Sequence, residues 1–246
     1  MSEPRPDVPG SELRIFGVTG IGEIHPGDDL AGIIASAVVD HHDGLADGDV
    51  LVVTQKIVSK AEGMLVAVDP DDPLSHKVLV ERETVRVLRR RGDLVISETK
   101  HGFVCANAGI DLSNVERGYA ALLPEDSDRS ARRIRDGIRA QAGVAVAVIV
   151  SDTFGRTWRR GLTDVAIGCA GIGAIVDYRG TTDTEDRELH VTEVAVVDEL
   201  AGAADLVLGK ATGRPVAVIR GVYPGWFRRG EVRAEIVRPA SEDLFR

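Results

Sequence analysis

The chain has 246 residues, 43% hydrophobic and 28% charged, which fits one large globular domain or two small ones. Thirty basic residues against 39 acidic give a net charge of −9. That balance argues against a broad basic face for nucleic acid or a membrane surface, but leaves room for a small anionic substrate held by a few local Arg or Lys.

Residues 1–11 read as a disordered lead-in; MSEPRPDVPG lacks the apolar core of a signal peptide. No later run approaches the roughly 18 apolar residues of a membrane span. ELRIFGV (12–18) predicts a strand, and DLAGIIASAVVDHH a helix that Asp28 or Asp29 can cap. DVLVVTQ (49–55) predicts a buried strand, residues 73–91 a charged amphipathic helix, and DLVISET (93–99) a strand. A helix follows over 129–141. VAVAVIVSD (144–152) is the most apolar strand of the chain. Val194, Val197, Ala201, Ala204 and Leu208 recur at spacings of three and four, the mark of a helix with one buried face. RPVAVIRGV (214–222) closes the pattern as a strand, leaving 12–240 as the folded unit. The stop soon after it makes 241–246 read as the start of a linker to a further domain. The alternation is that of an α/β chain, and periodicity does not decide between parallel and mixed strands. Cys105 and Cys169 sit in apolar surroundings and read as buried thiols of a reducing cytosol.

Three stretches carry chemistry. In VAVAVIVSDTFGRTWRRG (144–161) a fully apolar strand delivers Ser151, Asp152 and Thr153 at its end, where α/β folds place ligand crevices. Asp152 followed by the Thr153 hydroxyl is a hard-oxygen pair suited to Mg²⁺ or Mn²⁺. Arg156, Arg159 and Arg160 can hold phosphate or carboxylate, or can be solvated. HGFVCANAGIDLSNV (101–115) steers Asp111 and Asn114 through a small-residue passage. Asp111 either joins Asp152 around a metal cluster or caps a turn. Lys56 and Lys60 follow a buried strand and are either solvated or phosphate-binding. Glycine-rich turns recur at 17–27 and 208–215, without Walker spacing or a dinucleotide fingerprint. That absence counts against a Rossmann dehydrogenase. Lys210 lies just past a helix end, where lysine often neutralises terminal carbonyls. The six histidines offer no zinc spacing, the serines lack a nucleophile elbow, and the acidic run at 183–188 reads as a solvated loop or, less often, a cation site.

VVTQKIVSKAEG (52–63), HGFVCANAGIDLSNV (101–115), VIVSDTFGRTWRRG (148–161), TDVAIGCAGIGAIVDYRG (163–180) and DELAGAADLVLGKATGRPV (198–216) together resemble the coenzyme F420:L-glutamate ligases, in order along most of residues 12–235. The resemblance implies an α/β fold of mixed sheets with flanking helices, forming an intertwined homodimer. It implies a GTP-dependent, metal-dependent ligase of the cytoplasm that adds L-glutamate to the glutamate-free deazaflavin precursor. Carried over by motif, Asp111 and Asp152 look like metal ligands, with Thr153 joining them around two divalent ions, Mg²⁺ or Mn²⁺, and K⁺ as a candidate monovalent ion. Asn114, Lys56, the turn Ile21, Gly22, Glu23, Ile24, and the loop Leu208, Gly209, Lys210, Ala211, Thr212, Gly213, Arg214, Pro215 look like GTP contacts. Arg156 and Arg159 are candidates for the carboxylate substrates. Thr157 and Lys210 depart from the expected pattern; Lys210 favours phosphate contact over a metal role. The two-domain members carry a flavin-binding, nitroreductase-like domain after the ligase domain, and the resemblance implies such a domain in the full-length chain. A nucleotide-dependent ligase of another acid, and a non-catalytic nucleotide-binding domain serving a partner enzyme, are the alternatives.

Overall fold

The computed structural model describes residues 12–244, so the lead-in and the last two linker residues lie outside the described part. In chain order the first half contains β1 (Arg14–Gly17), α1 (Leu30–His41), β2 (Val50–Thr54), α2 (Gln55–Ala61), β3 (Leu65–Ala67), α3 (Lys77–Glu83), β4 (Thr84–Arg91), β5 (Leu94–Thr99), β6 (Val104–Ala106) and β7 (Tyr119–Ala121). The second half contains α4 (Ser127–Ala142), β8 (Ala147–Gly155), β9 (Leu162–Ala170), β10 (Val176–Asp177), β11 (Glu193–Val194), α5 (Val196–Leu208), β12 (Val216–Arg220) and α6 (Val232–Glu235).

Five strands form the central sheet in the order β1-β12-β2-β8-β9. It is mixed: β2 and β8 run parallel, and every other pairing is antiparallel. Side chains alternate across the pleat. Leu51, Val53, Val148 and Val150 join the core beneath α1 and α4, whereas Val50, Val52, Ala147 and Ile149 join the core beneath α5. All eight are fully buried, which explains why both strands read as continuous apolar runs. Each such Val, Leu or Ile contributes roughly 1.5–3 kcal/mol on burial.

Helix α4 is closed at both ends. The Asp126 carboxylate accepts from the Arg129 N–H at 2.8 Å, and Gly143 ends the helix in the left-handed region. Its first turn presses on β9, where a Cβ at Gly168 would lie 2.3 Å from the Ser127 carbonyl carbon. Asp29 stands at the N-cap of α1, but its side chain makes no capping bond there. Asp28 instead accepts from the His25 N–H, and Asp29 from the Gln141 side chain, which ties α1 to the end of α4.

The helix expected over 73–91 is mostly absent. Only Lys77–Glu83 is helical; Thr84–Arg91 is β4, paired antiparallel with β5 across a turn at Gly92 (φ +55°). The Arg86–Glu98 ion pair at 3.1 Å and the Thr84–Ser97 hydroxyl bond at 3.0 Å fasten the hairpin. Pairing with a neighbouring strand outweighs a helical charge pattern that has no helix partner to cover it. Residue Val194 belongs to β11, so α5 begins two residues later than its periodicity suggests.

Candidate active site

One end of the central sheet gathers the segments that the sequence singles out. The carboxyl ends of the parallel strands β2 and β8 meet there, beside the start of β12, and in α/β sheets ligands bind outside such ends. The Val18 N–H donates to Val216 O and the Thr54 N–H to Pro215 O, which docks the loops 18–24 and 208–215 against the same rim.

Asp111 stands on an isolated bridge to Ala121. Its carboxylate accepts from the Ser113 N–H at 2.6 Å and from the Lys56 ammonium. The turn-capping reading of this residue is therefore realised, and the cation paired with it is the Lys56 ammonium. Burial acts to raise its pKa, but the hydrogen bonds from Lys56 and Ser113 outweigh that and hold it below the usual range. The side chain keeps 36% of its surface exposed, so the passage is less dry than its composition suggests. Asn107 and Asn114 both occupy the left-handed region, at φ +49° and +51°, which Asn tolerates better than most residues. Asn107 also accepts from Lys77 and the Val95 N–H, whereas Asn114 donates to the Lys210 carbonyl at 3.4 Å.

Asp152 lies on β8 just past a bulge between Val150 and Ser151. Burial pushes its carboxyl up to about 7, and the negative charges of Asp111 and Asp164 add to the shift. Thr153 Oγ1 donates to Asp164 at 2.6 Å and accepts from Lys210 Nζ at 2.8 Å. Strand β8 runs on to Gly155, beyond the end expected at Asp152.

Two functional-site carboxylates escape sequence reasoning. Asp164 is buried on β9, and antiparallel register sets it opposite Thr153. Asp205, in the last turn of α5, bonds Lys210 at 2.9 Å. The only sequence signal for Asp164 was an acid inside an otherwise apolar run that follows the arginine loop.

The remaining predicted residues divide. Lys56 joins Asp111 and Ser113. Glu23 accepts from Lys60, whose side chain is 9% exposed, so this lysine is paired rather than solvated. Ile24 is buried, Ile21 packs on the core, and Gly22 is open. Within 208–215, Leu208 is core, the Thr212 hydroxyl closes on the Leu208 carbonyl, and Arg214 packs beside Gly17. Gly209 needs φ +61°, and a Cβ there would meet Thr212 at 2.8 Å. Lys210, Ala211 and Gly213 form this loop's exposed edge. Arg156 and Arg159 lie at the exposed tip of the β8–β9 hairpin, where Arg156 bonds the Arg160 carbonyl at 2.7 Å. Among the described residues neither makes a hydrogen bond with Asp111, Asp152 or Thr153. Cys105 and Cys169 are buried, as expected.

Among the described residues no three His, Cys, Asp or Glu side chains form a ready-made metal cage. The chemistry of Asp111 and Asp152 still fits a hard divalent ion, since Mg²⁺ is commonly held by one or two carboxylates and completed by substrate phosphates and water. No helix of the described residues is long and apolar enough to cross a membrane.

Carboxylates and ammonium groups thus gather at the rim where the parallel strands β2 and β8 end, beside the glycine-rich loop 208–215. The family model for F420-0:gamma-glutamyl ligase matches residues 20–221. The coenzyme F420:L-glutamate ligase of Methanothermobacter thermautotrophicus is 41% identical over 95% of this chain and 99% of its own length. Those of Methanopyrus kandleri and Methanocaldococcus jannaschii are 43% and 39% identical over 95% and 98% of this chain, and 98% and 96% of their own lengths. The chain belongs to the F420-0:gamma-glutamyl ligase family.

Proposed function

We propose that this chain joins L-glutamate to the glutamate-free precursor of coenzyme F420, using GTP and a divalent cation, and that further γ-linked glutamates can follow. Membership of the ligase family over nearly the whole chain supports the reaction, and the carboxylates of Asp111 and Asp152, near enough for the charge of one to act on the other, are the observation that carries the metal-dependent form of it.

A carboxylate is a poor electrophile, so amide formation in water needs activation. A precursor carboxylate oxygen attacks the γ-phosphorus of GTP, the bond to the β-phosphate oxygen breaks, and GDP leaves. The amine nitrogen of L-glutamate then attacks the acyl carbon of the acyl phosphate. Inorganic phosphate departs and the amine proton goes to solvent. Such phosphoryl transfer depends mainly on positioning and charge neutralisation. Asp111 and Asp152 would hold the divalent cation, which neutralises phosphate charge when bound. Lys56 would turn from Asp111 to a phosphate oxygen, and the exposed edge of loop 208–215 would offer backbone N–H groups to the nucleotide. Arg156 and Arg159 would receive the acidic substrates once the hairpin tip closes over them. The exposed Val85, Val87, Leu94 and Val104 of the three-stranded sheet support assembly as a homodimer; a single-chain mass in sedimentation would contradict it.

Replacing Asp152 with Asn tests the reading. Ligation should fall at least a hundredfold while the circular-dichroism spectrum and melting cooperativity stay those of the parent, as loss of a metal-bound carboxylate predicts. Undiminished turnover would remove Asp152 from the metal.

A further inference from the structure

The ammonium of Lys210 sits in a cradle of three oxygens: Thr153 Oγ1 at 2.8 Å, Asp205 Oδ1 at 2.9 Å and Asp164 Oδ1 at 3.1 Å. These come from three separate elements, β8, α5 and β9. Hard oxygens converging from different elements on one positive charge are what a cation site provides. Here a side chain of the protein supplies the charge. The Thr153 hydroxyl is committed on both sides, giving its proton to Asp164 and accepting from Lys210.

We infer that Lys210 is a resident cation that takes the place of a second divalent ion, so that this chain works with one divalent ion, at Asp111 and Asp152, beside a fixed ammonium at Thr153 and Asp164. This rests on the metal-dependent reading above and narrows the two ions implied by the resemblance to one.

Charge balance supports the inference. Four carboxylates, Asp111, Asp152, Asp164 and Asp205, face two ammonium groups, Lys56 and Lys210. The excess is two negative charges when all are ionised, the charge of one divalent ion. The excess is not evenly placed. Asp111 has Lys56, and Asp164 and Asp205 share Lys210, whereas Asp152 makes no ion pair among those the structure shows for the described residues. A divalent ion bound through Thr153 would stand at hydrogen-bond distance from a like charge and would have to displace it. An ammonium donating to three oxygens has no lone pair to offer a metal. A lysine ammonium is a compact point charge suited to a phosphate oxygen. With nucleotide present its exposed side would face the phosphates while Asp164 anchors the other.

The test is the count and coupling of bound Mn²⁺ by electron paramagnetic resonance in the complex with guanylyl imidodiphosphate. Paired ions in two-metal sites lie about 3.5–4 Å apart and couple magnetically. The wild-type chain and Lys210→Arg should each bind one uncoupled Mn²⁺, and Lys210→Gln should bind two, coupled. Two coupled ions in the wild type would overturn the role of Lys210 while leaving the metal-dependent reading intact. One ion in both the wild type and Lys210→Gln would equally overturn it, reducing Lys210 to an ion-pair partner at the surface. No bound Mn²⁺ in any of the three proteins would overturn the metal-dependent reading, and this inference with it.

Discussion

Lys56 and Asp111, 55 residues apart in the chain, share a salt bridge that joins the first turn of α2 to the loop after β6. The same ammonium reaches the Ser113 carbonyl and hydroxyl, so one cation fastens the segment carrying Asp111 to the end of β2. In this arrangement the lysine neutralises the carboxylate until a ligand competes for either partner.

Lys56→Met should therefore act in opposite directions on two ligands. Without nucleotide, the freed Asp111 should bind Mn²⁺ about tenfold more tightly, and GTP should bind about tenfold more weakly, each near 1.4 kcal/mol. Isothermal titration of each ligand separates the effects. Weakening of both would mean that the lysine only holds the loop.

Glu235 gives a stability prediction with a definite pH sign. It accepts from the Ala174 and Ile175 N–H groups and from Arg228. Burial would raise its pKa, but Arg228 and those N–H groups outweigh it and hold the carboxyl below the ordinary 4.5. A lowered folded pKa means stability that is present above the unfolded value and lost as pH falls through the folded one. Glu235→Gln should cost about 2 kcal/mol in urea unfolding at pH 7, and the difference should shrink below pH ~4. A difference that grows on acidification would contradict the assignment.

The two thiols make a chemical prediction. Burial pushes both Cys105 and Cys169 up to about 12, reinforced by Asp152 for the first and by Asp128 and Glu235 for the second. The thiolate is the reactive form, so at pH 8 the native protein should react with Ellman's reagent about a thousandfold more slowly than an unperturbed thiol. Both thiols should react at once in denaturant. Rapid stoichiometric modification of the folded chain would show either thiol to be accessible.

Much of this molecule is legible in the sequence where a run of residues has one dominant environment. Strands β2 and β8 lie under two cores and so read as unbroken apolar runs, and α4 and α5 show their buried stripes. Residues 84–91 mislead because β4 belongs to a small sheet with little core: arginines and valines at irregular intervals carry a helical period until the pairing with β5 is known. At the site, Asp111, Asp152, Thr153, Lys56 and Lys210 fall together because each follows or ends a strand or helix at one rim of the sheet. Asp164 showed only as an acid in an apolar run, because the register of β8 against β9 is what sets it opposite Thr153. Asp205 was hidden as one more polar residue on a helix face. Arg156 and Arg159 have site-like spacing, yet the β8–β9 hairpin carries them outward to its tip.

The most direct measurement is a ligation assay read by mass spectrometry. The purified chain is mixed with GTP, Mn²⁺ or Mg²⁺, L-glutamate and the glutamate-free F420 precursor. The account predicts a product heavier by one or more glutamyl units, formed only when GTP and the divalent ion are both present, with GDP and phosphate released in step. Product formed equally well without GTP or without the metal, or no product from a chain that binds both, would contradict it.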